Sequence, residues 1–258
     1  MARRRTSIKP GIRQARIVEL VSQQSAVTVE DLAVDFNISP ETIRRDLSIL
    51  ADAGRIRKVH GGARPARLQE EGPFEDRMNS NALAKRIIAE KVVRLVSPNQ
   101  TIFLDTGSTT LICAEALAQI DSLTVITNSC RIAATFAAGS GGANVYLLGG
   151  QYRADNEQSV GAITVEEVGR YNADCAILTV TAIDTCGAMD FSHEEAQVAR
   201  AMIASASRVA VVADSTKFGQ RTVFNVCELS QIDSLVADTP PSDNELAEAI
   251  SAAEIELL

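Results

Sequence analysis

The sequence has little of what a metal centre or a disulfide framework requires. It contains only two histidines, His60 and His193, so a histidine-based metal site is not expected. Its five cysteines are scattered, odd in number and without a Cys-x-x-Cys pair, which predicts buried, reduced thiols rather than metal ligands or disulfides. The cysteines are Cys113, Cys130, Cys175, Cys186 and Cys227. We expect neither a metal nor a cofactor.

Long hydrophobic runs are also absent. The basic start, Met1 to Arg5, is not followed by an apolar run of signal-peptide length, and the longest pure apolar runs are too short to span a bilayer. The 258 residues are 46% hydrophobic and 22% charged, which is typical of a soluble globular chain with one large or two small domains. We therefore expect a cytoplasmic protein with no membrane partner.

The negative charge of the chain is unevenly distributed. The net charge is −8, yet residues 1–67 hold 13 Lys and Arg against 7 Asp and Glu, a local charge of +6. Residues 68–258 hold the other 12 basic and 26 acidic residues, a local charge of −14. A basic N-terminal part on an acidic body favours a DNA-binding domain attached to a domain that avoids DNA.

The segment from Ser39 to Leu47 predicts an amphipathic helix with two distinct faces. Ser39 suits the N-cap, and Pro40 suits the first helical position. One face carries the apolar residues Ile43, Leu47 and Leu50 at helical spacing. The other face carries Thr42, Arg44 and Arg45. Such a helix suits the major groove of DNA, although an ordinary surface helix with a solvated arginine pair has the same pattern.

Neighbouring segments complete the pattern of a winged helix-turn-helix. A first helix is indicated by the apolar spacing of Ile12, Ala15, Ile17, Leu20 and Val21. Thr28 suits the cap of a short second helix, and Asn37-Ile38 forms the turn before the next. Gly54 ends the recognition helix, and a basic strand, Arg55 to His60, precedes a turn at Gly61-Gly62 and predicts a wing. The predicted DNA-contacting residues are Ser39, Thr42, Arg44, Arg45, Arg57, Lys58 and His60.

These residues closely resemble the DeoR family of bacterial repressors over about fifty positions. The resemblance is carried by Val29, Asp31-Leu32-Ala33, Phe36-Asn37-Ile38-Ser39, Thr42-Ile43-Arg44-Arg45-Asp46-Leu47, Leu50, Gly54 and His60-Gly61-Gly62-Ala63. It implies binding to double-stranded operator DNA. Because a single winged domain offers few contacts, we also expect a homo-oligomer, a dimer or a tetramer.

Beyond the wing, the sequence predicts a linker and a larger α/β domain. Arg64 to Pro73 lacks apolar periodicity and contains Pro and Gly. Short apolar runs then recur at Ile102–Leu104, Leu123–Ile126, Val145–Leu148, Cys175–Val180, Val209–Ala213, Leu235–Ala237 and Ile255–Leu258. Helical patterns fit between them near 111–119, 131–138, 195–206 and 244–253. This alternation predicts a largely parallel sheet covered by helices.

A small-residue loop follows the first of these strands. Asp105 ends the strand, and Thr106-Gly107-Ser108-Thr109-Thr110 leads into a helix. Free amides and hydroxyls at a helix N-terminus suit a phosphate, and Gly107 permits close backbone approach. A plain strand-to-helix turn rich in capping residues is the alternative.

Four other side chains suit a phosphorylated ligand. Lys217 and Arg153 offer charge to a phosphate, while Asp105 and Asp184 at strand ends could accept hydrogen bonds from hydroxyls. A surface lysine, a surface arginine and backbone-capping carboxylates are the alternatives. Glu194 or Glu195 is a weaker candidate, because an acidic residue at this place also stabilises a helix N-terminus.

The second half of the chain resembles the DeoR-type sensor domain. The resemblance lies at Asp105–Thr110, Thr127-Asn128-Ser129, Leu148-Gly149-Gly150 with Arg153, Ser159-Val160-Gly161, Ile183-Asp184 with Gly187, Glu195-Ala196 and Asp214–Gly219. It implies a Rossmann-like α/β sensor domain similar to ribose-5-phosphate isomerase, which binds a phosphorylated sugar or polyol and then releases DNA. The effector-binding residues so predicted are Asp105, Thr106, Gly107, Ser108, Thr109, Thr110, Arg153, Asp184, Glu195 and Lys217.

The chain departs from the family pattern at two positions. Thr179 and Ala182 stand where the family usually has glycines, and these added side chains imply a narrower ligand pocket or a different preferred ligand. The segments Met189–Glu195 and Asp238–Pro241 look most like the glycerol-3-phosphate regulon repressor subgroup, which implies an effector such as glycerol 3-phosphate.

Two functions remain open on the sequence. The first is a ligand-responsive regulator, a repressor of a carbohydrate or polyol operon, and not an enzyme. The alternative is a sugar-phosphate isomerase-like enzyme with an attached regulatory DNA-binding domain. Related isomerases pair a Gly-Ala-Asp-Glu segment with a nearby Lys-Gly, whereas here no Lys lies between Asp184 and Arg200. We predict a winged helix-turn-helix domain at residues 1–63, a linker at 64–76 and an effector-sensing domain at 77–258.

Overall fold

The fold consists of two units, each with its own core. The computed structural model describes residues 10–23, 27–52, 56–59, 61–65 and 72–258. Backbone contacts divide the chain into Met1–Gln69 and Glu70–Leu258. The predicted helix end at Gly54 and the wing residue His60 lie outside the described residues.

The first unit has three helices and a three-stranded antiparallel sheet in the order β1-β3-β2. Its elements are α1 (Pro10–Gln23), β1 (Val27–Thr28), α2 (Val29–Asp35), α3 (Pro40–Asp52), β2 (Ile56–Val59) and β3 (Gly62–Pro65). Helices α2 and α3 are joined by a short turn, and β2 and β3 form the hairpin of the wing. The predicted winged helix-turn-helix fold is confirmed.

Local side-chain chemistry accounts for the helix-turn-helix. The Thr28 hydroxyl accepts the amide of Asp31 at 3.1 Å and caps α2. Asn37 adopts φ of +51° in the turn, a conformation that asparagine tolerates better than most residues. The Ser39 hydroxyl accepts the amide of Thr42 at 3.3 Å at the start of α3, as its position in the sequence predicts.

The first helix packs differently from its apolar pattern. Ile12, predicted to face the core, is 63% exposed, while the adjacent Arg13 is buried. The Nε atom of Arg13 donates to the Oδ2 atom of Asp46 at 2.6 Å, and both side chains are almost fully buried. Gln14 donates to the other carboxylate oxygen at 2.9 Å. A buried ion pair therefore joins α1 to α3. Its α1 residue is Arg13, whereas periodicity predicts that Ile12 is the buried residue.

The second unit contains most of the secondary structure. Its helices are α4 (Phe74–Asn79), α5 (Ala82–Val92), α6 (Ser108–Leu117), α7 (Cys130–Ala138), α8 (Ala162–Val168), α9 (His193–Ala204) and α10 (Asn244–Ala252). Its strands are β4 (Thr101–Leu104), β5 (Thr124–Thr127), β6 (Asn144–Leu147), β7 (Gln151–Arg153), β8 (Gln158–Val160), β9 (Cys175–Thr179), β10 (Ala182–Asp184), β11 (Gly187–Asp190), β12 (Val209–Val212), β13 (Phe224–Cys227), β14 (Ser234–Val236) and β15 (Glu256–Leu257).

Seven strands form one parallel sheet in the order β15-β14-β12-β9-β4-β5-β6. All seven were predicted from their apolar runs, and helices at the four predicted places are also confirmed. The chain first runs outward from β4 to β6 and then continues from β9 on the other side of β4. The order therefore reverses between β4 and β9, which is where sheets of this type bind ligands.

Burial on both faces of the sheet explains its continuous apolar strands. Phe103 points into one apolar cluster, while Ile102 and Leu104 point into the other, and all three are fully buried. Alternate residues of one strand thus pack into two different cores.

No helix of the described residues is long and apolar enough to cross a membrane.

Short antiparallel elements were not predicted. A hairpin pairs β7 with β8, and a separate sheet has the order β10-β11-β13. Their strands have only three or four residues, too few for a recognisable alternation. The strand β3 and the helix α4 extend into the predicted linker at 64–76, whose boundaries stay predictions.

The five cysteines are all free thiols, as predicted, but their burial differs. Cys113, Cys175 and Cys227 are buried, Cys130 is half-buried and Cys186 is exposed. The expectation of burial is thus wrong for Cys186, which lies in the exposed turn between β10 and β11.

Candidate effector and nucleic-acid sites

A small polar cavity lies at the carboxyl ends of the central strands. The residues that follow β4, the last residue of β9 and the residues that follow β12 all contribute to its wall. Its volume is about 80 Å³. The lining consists of Arg77, Ser80, Asn81, Lys85, Thr106, Gly107, Ser108, Thr109, Thr179, Val180, Thr181, Asp190, Glu195, Asp214 and Lys217. We refer to this space as the central cavity.

One wall of the central cavity combines a buried lysine with the start of a helix. Lys85 is 4% exposed, and its Nζ atom donates to the Ser108 hydroxyl at 2.9 Å and to the carbonyl oxygen of Arg77. Ser108 is the first residue of α6, and Thr109 follows it. Positive charge and helix amides thus converge on one wall of the central cavity, which suits an anion.

Gly107 and Thr179 lie against each other at the same wall. Gly107 has φ of 176°, an extended conformation that any residue adopts, so its role is spatial. A Cβ atom on Gly107 would lie 2.3 Å from the Cγ2 atom of Thr179. The Thr110 hydroxyl donates to the Gly107 carbonyl oxygen at 3.1 Å and is completely buried. The loop is therefore tightly packed, against Thr179 at the cavity wall and against Thr110 behind it.

Three carboxylates face the central cavity. One Glu195 oxygen accepts from Gln158 at 2.6 Å and from Asn156 at 3.2 Å. An Asp214 oxygen accepts the side-chain amide of Asn81 at 3.2 Å, and Asp190 is the third carboxylate. These groups accept hydrogen bonds, so they suit hydroxyl donors on a ligand. No group of three His, Cys, Asp or Glu side chains in the described part of the chain is arranged to hold a metal ion.

Six of the ten predicted effector residues line the central cavity: Thr106, Gly107, Ser108, Thr109, Glu195 and Lys217. Asp105 lines a smaller adjoining space, and its carboxylate accepts the amide of Thr179 at 3.0 Å. Thr110 lies behind the loop.

The remaining two of the ten predicted residues, Arg153 and Asp184, also lie outside the lining and form ion pairs. Arg153 donates to Glu194 at 2.8 Å, and Arg221 donates to Asp184 at 2.7 Å. Asp184 also accepts the amide of Cys186 at 2.8 Å.

Five charged or amide residues of the lining were absent from the predicted set: Arg77, Asn81, Lys85, Asp190 and Asp214. For Lys85 a signal existed in the sequence. It occupies the same helical stripe as the buried Ile88, Ala89 and Val92, and a lysine on an apolar stripe needs a polar partner. Arg77 and Asn81 lie within eight residues of Lys85 in sequence, whereas Asp190 and Asp214 are distant and join them only through the fold.

The predicted DNA-contacting residues lie on α3 and the wing. Arg44 and Arg45 are exposed, and Arg44 pairs with Glu41 at 3.3 Å. Lys58 of β2 donates to the Ser48 hydroxyl on α3 at 2.9 Å, which links the wing to the helix. Arg57 is exposed. One surface therefore combines a helix start, two arginines and a basic hairpin, as a groove-binding domain requires.

Comparison with known proteins identifies both units. The DeoR-like helix-turn-helix domain matches residues 13–67, and the DeoR C-terminal sensor domain matches residues 80–239. The chain belongs to the DeoR family.

Relatives of this DeoR-family protein include named repressors. The glycerol-3-phosphate regulon repressor of Escherichia coli is 33% identical over 226 residues, which cover 87% of this chain and 89% of the relative. The transcriptional repressor AccR of Agrobacterium fabrum is 34% identical over 230 residues, which cover 88% of this chain and 89% of the relative.

The α/β unit of this DeoR-family protein also resembles ribose 5-phosphate isomerase A of Methanocaldococcus jannaschii. That likeness has a TM-score of 0.41 at 17% identity and covers 55% of this chain and 56% of the isomerase.

Of the two departures from the family pattern, Thr179 lines the central cavity, whereas Ala182 is buried in β10 outside that lining.

Proposed function

We propose that this protein is a DNA-binding transcriptional repressor that leaves its operator when a phosphorylated sugar or polyol occupies the central cavity. The observation that carries the proposal is the buried Lys85 beside the start of α6, in a chain that also has a winged helix-turn-helix. Its relatives include named repressors, which supports repression, and one of them is the repressor of the glycerol-3-phosphate regulon. Glycerol 3-phosphate is therefore the first effector to test.

The lining suggests how such a ligand binds. Its phosphate would accept hydrogen bonds from the first amides of α6 and from the hydroxyls of Ser108 and Thr109, opposite the ammonium groups of Lys85 and Lys217. Its hydroxyls would donate to carboxylates such as Glu195 and Asp190. A ligand with a phosphate at one end and hydroxyls at the other fits both sets of groups.

Three residues of the cavity lining are close in sequence to the DNA-binding unit, which suggests how ligand binding is coupled to DNA binding. Arg77, Ser80 and Asn81 line the cavity and belong to α4 and the turn after it, the first described elements beyond the linker. A ligand shifts the equilibrium only if it binds the DNA-free arrangement more tightly. The expected coupling is about 1–3 kcal/mol, or roughly 5–150-fold in operator affinity.

We further propose a homo-oligomer that acts in the cytoplasm on double-stranded operator DNA. Repeated or palindromic half-sites compensate for the few contacts of a single winged domain. The interface belongs to the sensor domain, because the basic N-terminal domains must stay free to reach DNA.

Operator binding at fixed salt tests the proposal, since salt alone strongly changes such affinities. An operator fragment is first selected from random-sequence DNA, and the complex is then titrated with glycerol 3-phosphate or a panel of sugar phosphates. Glycerol and inorganic phosphate, added together, serve as the control. Release by a phosphorylated compound, and not by the control mixture, supports the proposal. Retention of DNA with every member of the panel would contradict it, and rapid turnover of ribose 5-phosphate would favour the isomerase-like alternative.

A further inference from the structure

The side chain of Thr179 limits the space beside the candidate phosphate loop. Its Cγ2 atom would lie 2.3 Å from a Cβ atom on Gly107, so the methyl group packs directly onto the loop backbone. The backbone of Thr179 is held in turn, because its amide donates to the Asp105 carboxylate at 3.0 Å. A β-branched side chain on a fixed backbone has few rotamers, so this wall is rigid.

The central cavity is small for a ligand site. Its volume is about 80 Å³, whereas sites for larger small molecules usually measure about 300–1,000 Å³. At about 10–15 Å³ per water-sized sphere, the cavity has room for roughly five to eight such spheres. A space of this size favours a short polyol phosphate over a six-carbon sugar phosphate, which has more atoms to place.

We propose that Thr179 is a specificity-determining residue that restricts the effector to phosphates with a chain of about three carbons. The proposal rests on the function proposed above. Thr179 is the last residue of β9, directly beside β4 and its loop at the point where the strand order reverses. Removing its side chain opens space beside the phosphate position, so a longer ligand can enter without displacing Lys85 or Ser108.

The test compares the full-length parent with Thr179→Gly and with a matched control, Ala182→Gly. Ala182 is completely buried in β10 but does not line the central cavity. Both variants introduce a glycine into a strand, which costs about 0.5–1 kcal/mol relative to alanine, but only Thr179→Gly changes the lining of the central cavity. Glycerol 3-phosphate, glucose 6-phosphate and inorganic phosphate are titrated in turn, and the thermal shift and operator release are recorded.

We expect the parent to bind glycerol 3-phosphate at least about tenfold more tightly than glucose 6-phosphate, since small differences in fit are worth about 10–200-fold. In Thr179→Gly this ratio falls by about tenfold or more, and in Ala182→Gly it stays at the parent value. Thr179→Ser, which removes only the methyl group, gives an intermediate ratio and replaces Thr179→Gly if that variant fails to fold.

The proposal is overturned if the parent binds both chain lengths equally or if the Thr179 variants keep the parent ratio. It is also overturned if inorganic phosphate binds as tightly as glycerol 3-phosphate. A parent that responds to glucose 6-phosphate alone would overturn the size restriction and leave the repressor proposal intact. A parent that responds to no phosphorylated compound would instead contradict the repressor proposal itself.

Discussion

Lys85 donates a hydrogen bond of 2.9 Å to the hydroxyl of Ser108, the first residue of α6. A lysine at this place lies near the positive end of the helix dipole, where a cation is less favourable than an anion. Lys85 is almost fully buried and lines the central cavity. An anion bound at the same wall would interact favourably with both positive groups, which is why Lys85 is central to the proposed effector site.

Replacing Lys85 with methionine should weaken effector binding by at least about tenfold, since a hydrogen bond to a charged group is worth about 1.5–3 kcal/mol. Operator affinity without effector should stay at the parent value, because the change lies in the sensor unit. Calorimetry with glycerol 3-phosphate and operator titration measure the two effects.

Lys91→Met is the matched control for that variant. Lys91 lies on the same helix and donates to the carbonyl oxygen of Ala237 at 2.6 Å, outside the central cavity. Lys91→Met should bind effector like the parent. Equal losses in the two variants would mean that the effect of Lys85→Met is structural.

Arg44→Ala and Arg45→Ala should each weaken operator binding, by about 1–3 kcal/mol where a base contact is lost. If a variant loses a phosphate contact, the slope of log operator affinity against log salt concentration should also decrease in magnitude by about 0.9. Titration of operator at several salt concentrations measures both effects. Arg94→Ala, which removes an exposed arginine of the sensor unit, is the control. A double variant that binds like the parent would refute the assignment of α3 as the recognition helix.

Asp46→Ala should destabilise the first unit by about 3–5 kcal/mol, because it leaves Arg13 buried without its carboxylate partner. The double variant Arg13→Met, Asp46→Leu should recover much of that loss, since an apolar pair of similar volume replaces the ion pair. Hydrogen exchange of α1 and α3 reports on this unit alone. Asp35→Ala, which removes an exposed carboxylate on α2, is the control and should have little effect on stability. If Asp46→Ala destabilises the unit no more than Asp35→Ala does, the ion pair contributes little.

Cys186 should react first with a thiol reagent at neutral pH. It is exposed, whereas Cys113, Cys175 and Cys227 are buried and Cys130 is half-buried. Burial raises the pKa of Cys113 from its ordinary value of about 9 to about 12, and the pKa values of Cys175 and Cys227 to about 11. A Cys186→Ser variant should lose the fast phase of the reaction. A fast phase that persists in that variant would assign the reactivity to another thiol.

The same buried thiols should make the protein less stable at high pH. In the unfolded chain these thiols ionise near their ordinary pKa of about 9, while in the folded protein they stay protonated to about 11 or 12. The unfolded state therefore loses protons first, and the free energy of unfolding falls as the pH rises above about 9. Cys113→Ala should flatten this decline in urea denaturation measured between pH 8 and 10.5.

The predictable parts of this protein are those that depend on neighbours in sequence. Apolar runs and helical spacing predicted the seven parallel strands and the helix-turn-helix, because burial on a sheet or along a helix stripe imposes a short repeat. The loop between β4 and α6 was equally visible, because its small and polar residues are contiguous in the sequence and directly precede a helix.

The central cavity, in contrast, depends on the order of the strands in the sheet. Arg153 and Asp184 looked as suitable as Lys217, yet they pair with Glu194 and Arg221 outside the lining, while Lys85 and Asp214 take part in it. The contact of Thr179 with Gly107 also exists only because β9 pairs with β4. Periodicity reports which face of an element is buried, but it carries no information about which distant element covers that face, and the charges and the volume of the cavity follow from that pairing alone.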